Sequence, residues 1–247
     1  MNMPFVIFFI FCFLVFFGLG NDVCYADLTF QGPSGYVQVP SAQTIKKGEI
    51  ELGFHSRTFT SQNSSSDNYY TNMAVGFSPL RDFEVGVQKA IDSRRGNNVL
   101  DPDPTVNLKF RLPPMGKDFS ETALGLVLDC NPNNYHTMYF TVGGVGIGWN
   151  FGGNQGSGVA NFGSYDRGSK KPKDLFLMVG ADLYPSKPGE RGYRSHYLFD
   201  YNGDVFSVAW RYKSHRGFWV DLGVQGKGSY SDFYDYQPVF AGFGAIF

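Results

Sequence analysis

Four histidines, His55, His136, His196 and His215, are the side chains best suited to acid–base work near neutral pH. Three of them have a serine neighbour in the chain: Ser56, Ser195 and Ser214. A histidine activates a serine only when the two side chains come within hydrogen-bonding reach. Adjacent residues of an extended chain point to opposite faces. Adjacency alone therefore builds no nucleophile, and such a site would have to be assembled from different strands. The histidines are scattered, and no spacing fits a zinc or calcium loop. Asn202-Gly203-Asp204 reads as a tight hairpin turn. The glycine run at 143–148 precedes no helix, so it is not a phosphate loop. No catalytic residue, metal or cofactor is expected, and the chain is not expected to be an enzyme. Lys170-Lys171-Pro172-Lys173 reads as a solvated loop, in reach of an anionic surface such as lipopolysaccharide.

The elements that would position any site are strands. Charged residues make up only 17 % of the chain, against roughly 25 % in an average soluble domain. Aromatic residues reach 17 %, with 25 Phe and 15 Tyr, and there are 31 Gly. Yet the mean hydropathy is −0.21, so apolar and polar residues must alternate finely. Lys+Arg 21 against Asp+Glu 22 leaves no basic excess for nucleic acid. A period of two recurs along the chain. Phe83, Val85 and Val87 alternate with Glu84, Gly86 and Gln88. Val106, Leu108 and Phe110 alternate with Asn107, Lys109 and Arg111. Phe218, Val220 and Leu222 alternate with Trp219, Asp221 and Gly223. Turn chemistry separates these runs, as in Ser78-Pro79, Pro113-Pro114, Asn131-Pro132-Asn133-Asn134 and Gly143-Gly144.

The one long apolar block, residues 5–19, stands before Cys24-Tyr25-Ala26. Its length suits the core of a signal peptide, and small residues at 24 and 26 fit a signal-peptidase pocket. Cleavage is expected after Ala26, making residues 1–26 a signal peptide. Cys12 and Cys24 would leave with it, so Cys130 would stay alone and no intrachain disulfide would form.

The expected fold is all-β: an antiparallel up-and-down transmembrane β-barrel of about 12 strands, with 10 as the alternative. Glycine is common on the polar face, which eases curvature and crowding inside a narrow barrel. Aromatic residues recur near strand ends, as interfacial girdles require. The chain closes on a strict alternation through Val239, Phe243 and Phe247, which resembles the terminal signal read by the outer-membrane barrel assembly machinery. Connections mostly alternate long and short. The polar stretches 60–68, 92–103, 152–173 and 226–235 fall on one side, and tight turns such as Gly143-Gly144 fall on the other. Residues 49–247 would form the barrel. Residues 27–48, with Pro33 and Pro40, make a poor strand and would lie at the periplasmic mouth or fold into the lumen.

On that alternation the lumen receives Glu51, Arg57, Glu84, Lys109, Arg111, Asp182, Arg194, His196, Asp200, Arg211 and Asp221. Charges of both signs inside a narrow bore are satisfied by pairing across the lumen, which favours a plugged or gated barrel over an open porin. A one-residue slip in register would invert the assignment.

The stretch from Gly32 to Thr44, Gly-Pro-Ser-Gly-Tyr-Val-Gln-Val-Pro-Ser-Ala-Gln-Thr, precedes Gly48 and the first strand. It resembles the opening of YjbH-like outer-membrane proteins, which are linked to exopolysaccharide production. That resemblance implies a barrel at the bacterial outer membrane, in contact with lipid and lipopolysaccharide, with polysaccharide as a candidate partner. Two alternatives stay open at this point: a barrel enzyme acting on lipid or lipopolysaccharide, and a periplasmic β-sandwich binding protein.

Overall fold

The computed structural model describes residues 27–29, 32–61, 64–95, 98–99, 103–113, 121–154, 171–183, 194–214, 216–226 and 236–247. The proposed signal peptide lies outside these residues, as does most of the expected connections 152–173 and 226–235. Two short strands come first, β1 (Asp27–Leu28) and β2 (Ser34–Gly35). Then follow β3 (Ile50–Ser61), β4 (Ser64–Leu80), β5 (Phe83–Arg95), the two-residue β6 (Asn98–Val99), β7 (Thr105–Leu112) and β8 (Thr122–Asp129). The remaining strands are β9 (Tyr135–Val142), β10 (Val145–Gly152), β11 (Leu175–Leu183), β12 (Arg194–Tyr201), β13 (Phe206–Lys213), β14 (Phe218–Gln225) and β15 (Tyr236–Ile246).

Every long strand pairs antiparallel with its neighbours in the chain, β5 passing over β6 to β7. The last strand, β15, pairs with the first long one, β3. The sheet thus closes on itself as a 12-strand up-and-down barrel. Closure removes both sheet edges, so no row of backbone donors is left open. Cys130, the cysteine among the described residues, is free and exposed, so closure rather than a disulfide there holds the sheet together.

Alternation sets the two faces. Ile147, Trp149, Leu175, Leu222, Val224, Val239 and Phe243 point outward and are exposed, Leu222 by 51 %. Their strand neighbours, among them Gly148, Asn150, Phe176, Asp221 and Gln225, point inward and are buried. The inner face is crowded, and glycines make room for rings. Tyr139 lies over Gly125, its register partner on β8, and a β-carbon there would overlap the ring. Phe176 over Gly148 and Trp219 over Gly244 repeat the arrangement across β10–β11 and β14–β15.

Two connections differ from expectation. The polar stretches at 60–68 and 92–103 are not simply loops. β3 and β4 stay paired through Phe59↔Asn68 and Ser61↔Ser64, so β4 is 17 residues long. β5 continues to Arg95 and pairs with β6. Hydrophobic alternation is absent from those stretches of the sequence. The backbone ladder needs no apolar face to continue.

Candidate functional site

The barrel holds its own N-terminal segment, of which residues 27–29 and 32–45 are described. The local chemistry of this stretch disfavours a regular element. Pro33 and Pro40 offer no N–H. Gly32 takes a φ of +98°, a conformation open to glycine and strained for other residues. The segment forms a small hairpin, Asp27↔Gly35 and Leu28↔Ser34, and then a turn closed by the Tyr36 N–H on Val39 O. Asp27, Leu28, Ser34, Val37, Gln38, Val39, Ala42 and Ile45 are all buried. A buried chain that cannot complete a ladder must find other partners for its peptide groups.

The wall supplies them. Glu51 Oε1 accepts the Leu28 N–H at 3.0 Å and the Trp219 Nε1–H at 2.8 Å. The Glu84 carboxylate accepts the Ser34 N–H at 2.8 Å, the Ile45 N–H at 3.1 Å and the Ser34 hydroxyl. Asp200 Oδ2 accepts three consecutive amides, from Val37 (3.0 Å), Gln38 (2.5 Å) and Val39 (3.0 Å). Carbonyls are met by cations. Lys109 Nζ donates to Ser34 O at 2.7 Å, and Arg211 donates to Tyr36 O at 3.0 Å. Side chains finish the set: Gln38 Nε2 donates to Ser207 Oγ, and Asn202 Nδ2 donates to Gln38 Oε1.

Ion pairs hold the wall groups in place. Arg211 grips Asp221 with Nε and Nη2, both at 2.6 Å, and Asp27 with Nη1 at 2.9 Å. Lys213 reaches Asp27 at 2.8 Å. Lys109 pairs with Glu84 at 3.5 Å, and both are fully buried. These wall pairs do not cross the lumen, as the sequence had suggested. Arg211↔Asp221 and Glu84↔Lys109 are register partners on adjacent strands. The bore is occupied, so charges on opposite walls meet the segment instead of each other.

The segment also packs against apolar side chains. Val39 is buried among Val127, Tyr139, Phe176 and Met178, with Tyr36 beside them. The Tyr36 ring lies on Gly180, with its hydroxyl beside Gly144. Val37 packs with Leu198, Ala209 and Phe240, and Leu28 and Ile45 pack with Ala74.

Of the residues assigned to the lumen from sequence, Glu51, Glu84, Lys109, Asp200, Arg211 and Asp221 come together around this segment. Asp182 and His196 are buried on the inner face but pair with each other, Asp182 to Nδ1 at 3.0 Å. Arg57 is inward and half-buried, its guanidinium over the Tyr70 ring at 5.0 Å. Arg111 sits at the end of the bore that holds the β4–β5 turn, joined to Asp82 of that turn and to Glu121. Arg194 pairs with Lys213 through its backbone, and its side chain lies outside the described residues. Val239, Phe243 and Phe247 are exposed on the outer face and at the chain end. Sequence reasoning missed Trp219, Gln38, Asn202 and Ser207 as members of the site. Trp219 was within reach, because the alternation that turns Asp221 inward turns Trp219 inward too.

Among the described residues no group of His, Cys, Asp and Glu could hold a metal ion. The arrangement binds the peptide groups of the N-terminal segment inside the barrel. No family model matches the chain, and no curated protein matches it.

Proposed function

We propose that this protein is an outer-membrane β-barrel whose bore is closed by its own N-terminal segment, acting as a gated pore or accessory protein in envelope traffic. The observation that carries the reading is the pairing of two faces. An exposed belt of Leu, Val, Ile, Phe and Trp wraps the outside of a closed barrel, while Glu51, Glu84, Lys109, Asp200, Arg211 and Asp221 are buried inside it around the N-terminal segment. In water, such a belt would be a large cost; against lipid it is the favoured surface. The periplasmic sandwich does not fit a closed single sheet, since a sandwich packs two sheets on a shared apolar core. Exopolysaccharide as the traffic served rests on the resemblance of residues 32–54 to YjbH-like proteins. Secretion through the inner membrane, contact with lipopolysaccharide and recognition of the terminal Phe247 by the assembly machinery belong to the same proposal. Enzymatic action is not part of it.

The test is gel migration of protein from a carbonate-washed outer-membrane fraction, with and without boiling. Unheated protein is expected to run faster, as a closed barrel that resists detergent does. Protein that washes off, or migrates identically in both lanes, overturns the reading.

A further inference from the structure

The interior holds more negative charge than its described cations match. Asp27, Glu51, Glu84, Asp182, Asp200 and Asp221 are buried carboxylates. Facing them are the buried Lys109 and Arg211, and Lys213, whose side chain is 16 % exposed. Arg57 is engaged with Tyr70, and His196 with Asp182. Asp221 and Asp27 share Arg211, and Glu84 has Lys109. Asp200 is met by three amides. Glu51 stands apart. It is fully buried, and Oε1 has the Leu28 amide and Trp219, but Oε2 has no hydrogen-bond partner among the described residues. An ionised carboxylate oxygen left without a donor at full burial is costly.

The position of Glu51 shows what would complete it. The Leu28 nitrogen already lies 3.0 Å from Oε1, and the nitrogen of Asp27 is one residue back along the chain. Asp27 itself is fixed, with its carboxylate on Arg211 and Lys213. A peptide nitrogen at Asp27 offers one N–H and no charge. A free amine there would offer three donors and a positive charge one residue along the chain from the amide that already meets Glu51. The sequence places the expected signal-peptidase cut at the bond between Ala26 and Asp27.

We propose that the lumen carries a built site for the α-ammonium group of Asp27, with Glu51 as its counter-ion. Hydrolysis of the Ala26–Asp27 bond by a signal peptidase consumes one water. The hydroxyl goes to the Ala26 carboxyl group, and the released amine takes up protons to become the ammonium. The processed chain thereby gains one buried cation where the wall lacks one, and the segment is locked at the point where it enters the lumen. Processing then does more than release the chain from its leader: it finishes the plug. This rests on the secreted-barrel reading above.

Intact-mass measurement on the purified barrel comes first, and a chain beginning at Asp27 is expected. Folded protein is then treated with an amine reagent selective for α-amines, with boiled protein as the reference. The wild-type amine is expected to be protected in the folded barrel and reactive after boiling. Glu51→Gln should speed labelling of the folded protein about tenfold or more, the size expected on losing a hydrogen bond to a charged group. Should Glu51→Gln not yield a folded barrel, a one-glycine extension inserted between Ala26 and Asp27 serves instead. It leaves Glu51 in place but moves the ammonium about 3.8 Å away, and is expected to lower the temperature of the gel shift and expose the amine. A mature chain starting elsewhere, equal labelling of wild type and Glu51→Gln, or an extension without effect overturns the proposal. Protein that shows no gel shift on heating would overturn the membrane-barrel reading instead, and the mass and labelling results would still decide the amine site.

Discussion

The two halves of the lumen use different physics to hold the same segment. Along β3, β5, β7 and β12–β14 the wall is charged, and it reads the segment through peptide groups: carboxylates take amides and cations take carbonyls. Along β8–β11 the side chains packed on the segment, Val127, Tyr139, Phe176 and Met178, are apolar or aromatic, and they receive Val39 and Tyr36 through shape. The charged half is directional and intolerant of deletion, since removing one partner strands another in low dielectric. The apolar half is divisible, because each contact contributes a little and neighbours can shift. A segment with two prolines and a ladder of only two residue pairs needs the first kind of support for its backbone. It needs the second for its few apolar side chains.

The difference can be broken at its strongest point. Arg211→Met leaves Asp27 and Asp221 without their shared cation. A loss of about 3–5 kcal/mol is expected, read as a large fall in the temperature of the gel shift or a failure to form the fast-migrating band. Next in size is Asp200→Ala, which strands the amides of Val37, Gln38 and Val39. The expected cost is about 1–3 kcal/mol, and amide hydrogen exchange at 37–39 should rise while exchange in β8–β11 stays slow. Uniform acceleration around the whole barrel would mean that the two halves are not distinct.

The apolar half is probed by Gly148→Ala, which drives a β-carbon into the Phe176 ring. A cost of about 1–3 kcal/mol is expected. In a Phe176→Leu background most of that cost should vanish, giving a coupling of about 0.5–3 kcal/mol in a double-mutant cycle. Simple additivity would show that the ring is not seated on the glycine. The smallest effect belongs to Ser207→Ala, which removes one hydrogen bond from Gln38. About 1 kcal/mol is expected, measured by urea titration of the folded band. A loss as large as that of Arg211→Met would contradict the ranking.

The fold was legible because the backbone's period of two is written directly in the side chains. The outward Phe218, Val220 and Leu222 and the inward Trp219 and Asp221 follow from alternation alone. The extensions of β3, β4 and β5 were not legible, since Ser64, Ser65 and Ser66 carry no alternation for a reader to follow. Much of the site was within reach as well, because inward charges at 51, 84, 109, 200, 211 and 221 share one parity with their strands. Their partners were not. The bonds that Asp200 and Glu84 make go to backbone amides of the N-terminal segment, and an amide has no signature in a sequence. Whether residues 27–48 would lie across the mouth or inside the lumen also could not be read. That choice depends on eight hydrogen bonds between wall side chains and segment peptide groups far apart in the chain.

The central claim is that residues 27–45 close the bore and that wall carboxylates keep them there. Conductance of purified protein in planar bilayers tests it most directly, comparing wild type with the double variant Glu84→Ala, Asp200→Ala. Wild type is expected to be electrically silent, with discrete openings in the variant whose amide partners have been removed. Steady conductance through the wild-type protein, unchanged in the variant, would contradict the account.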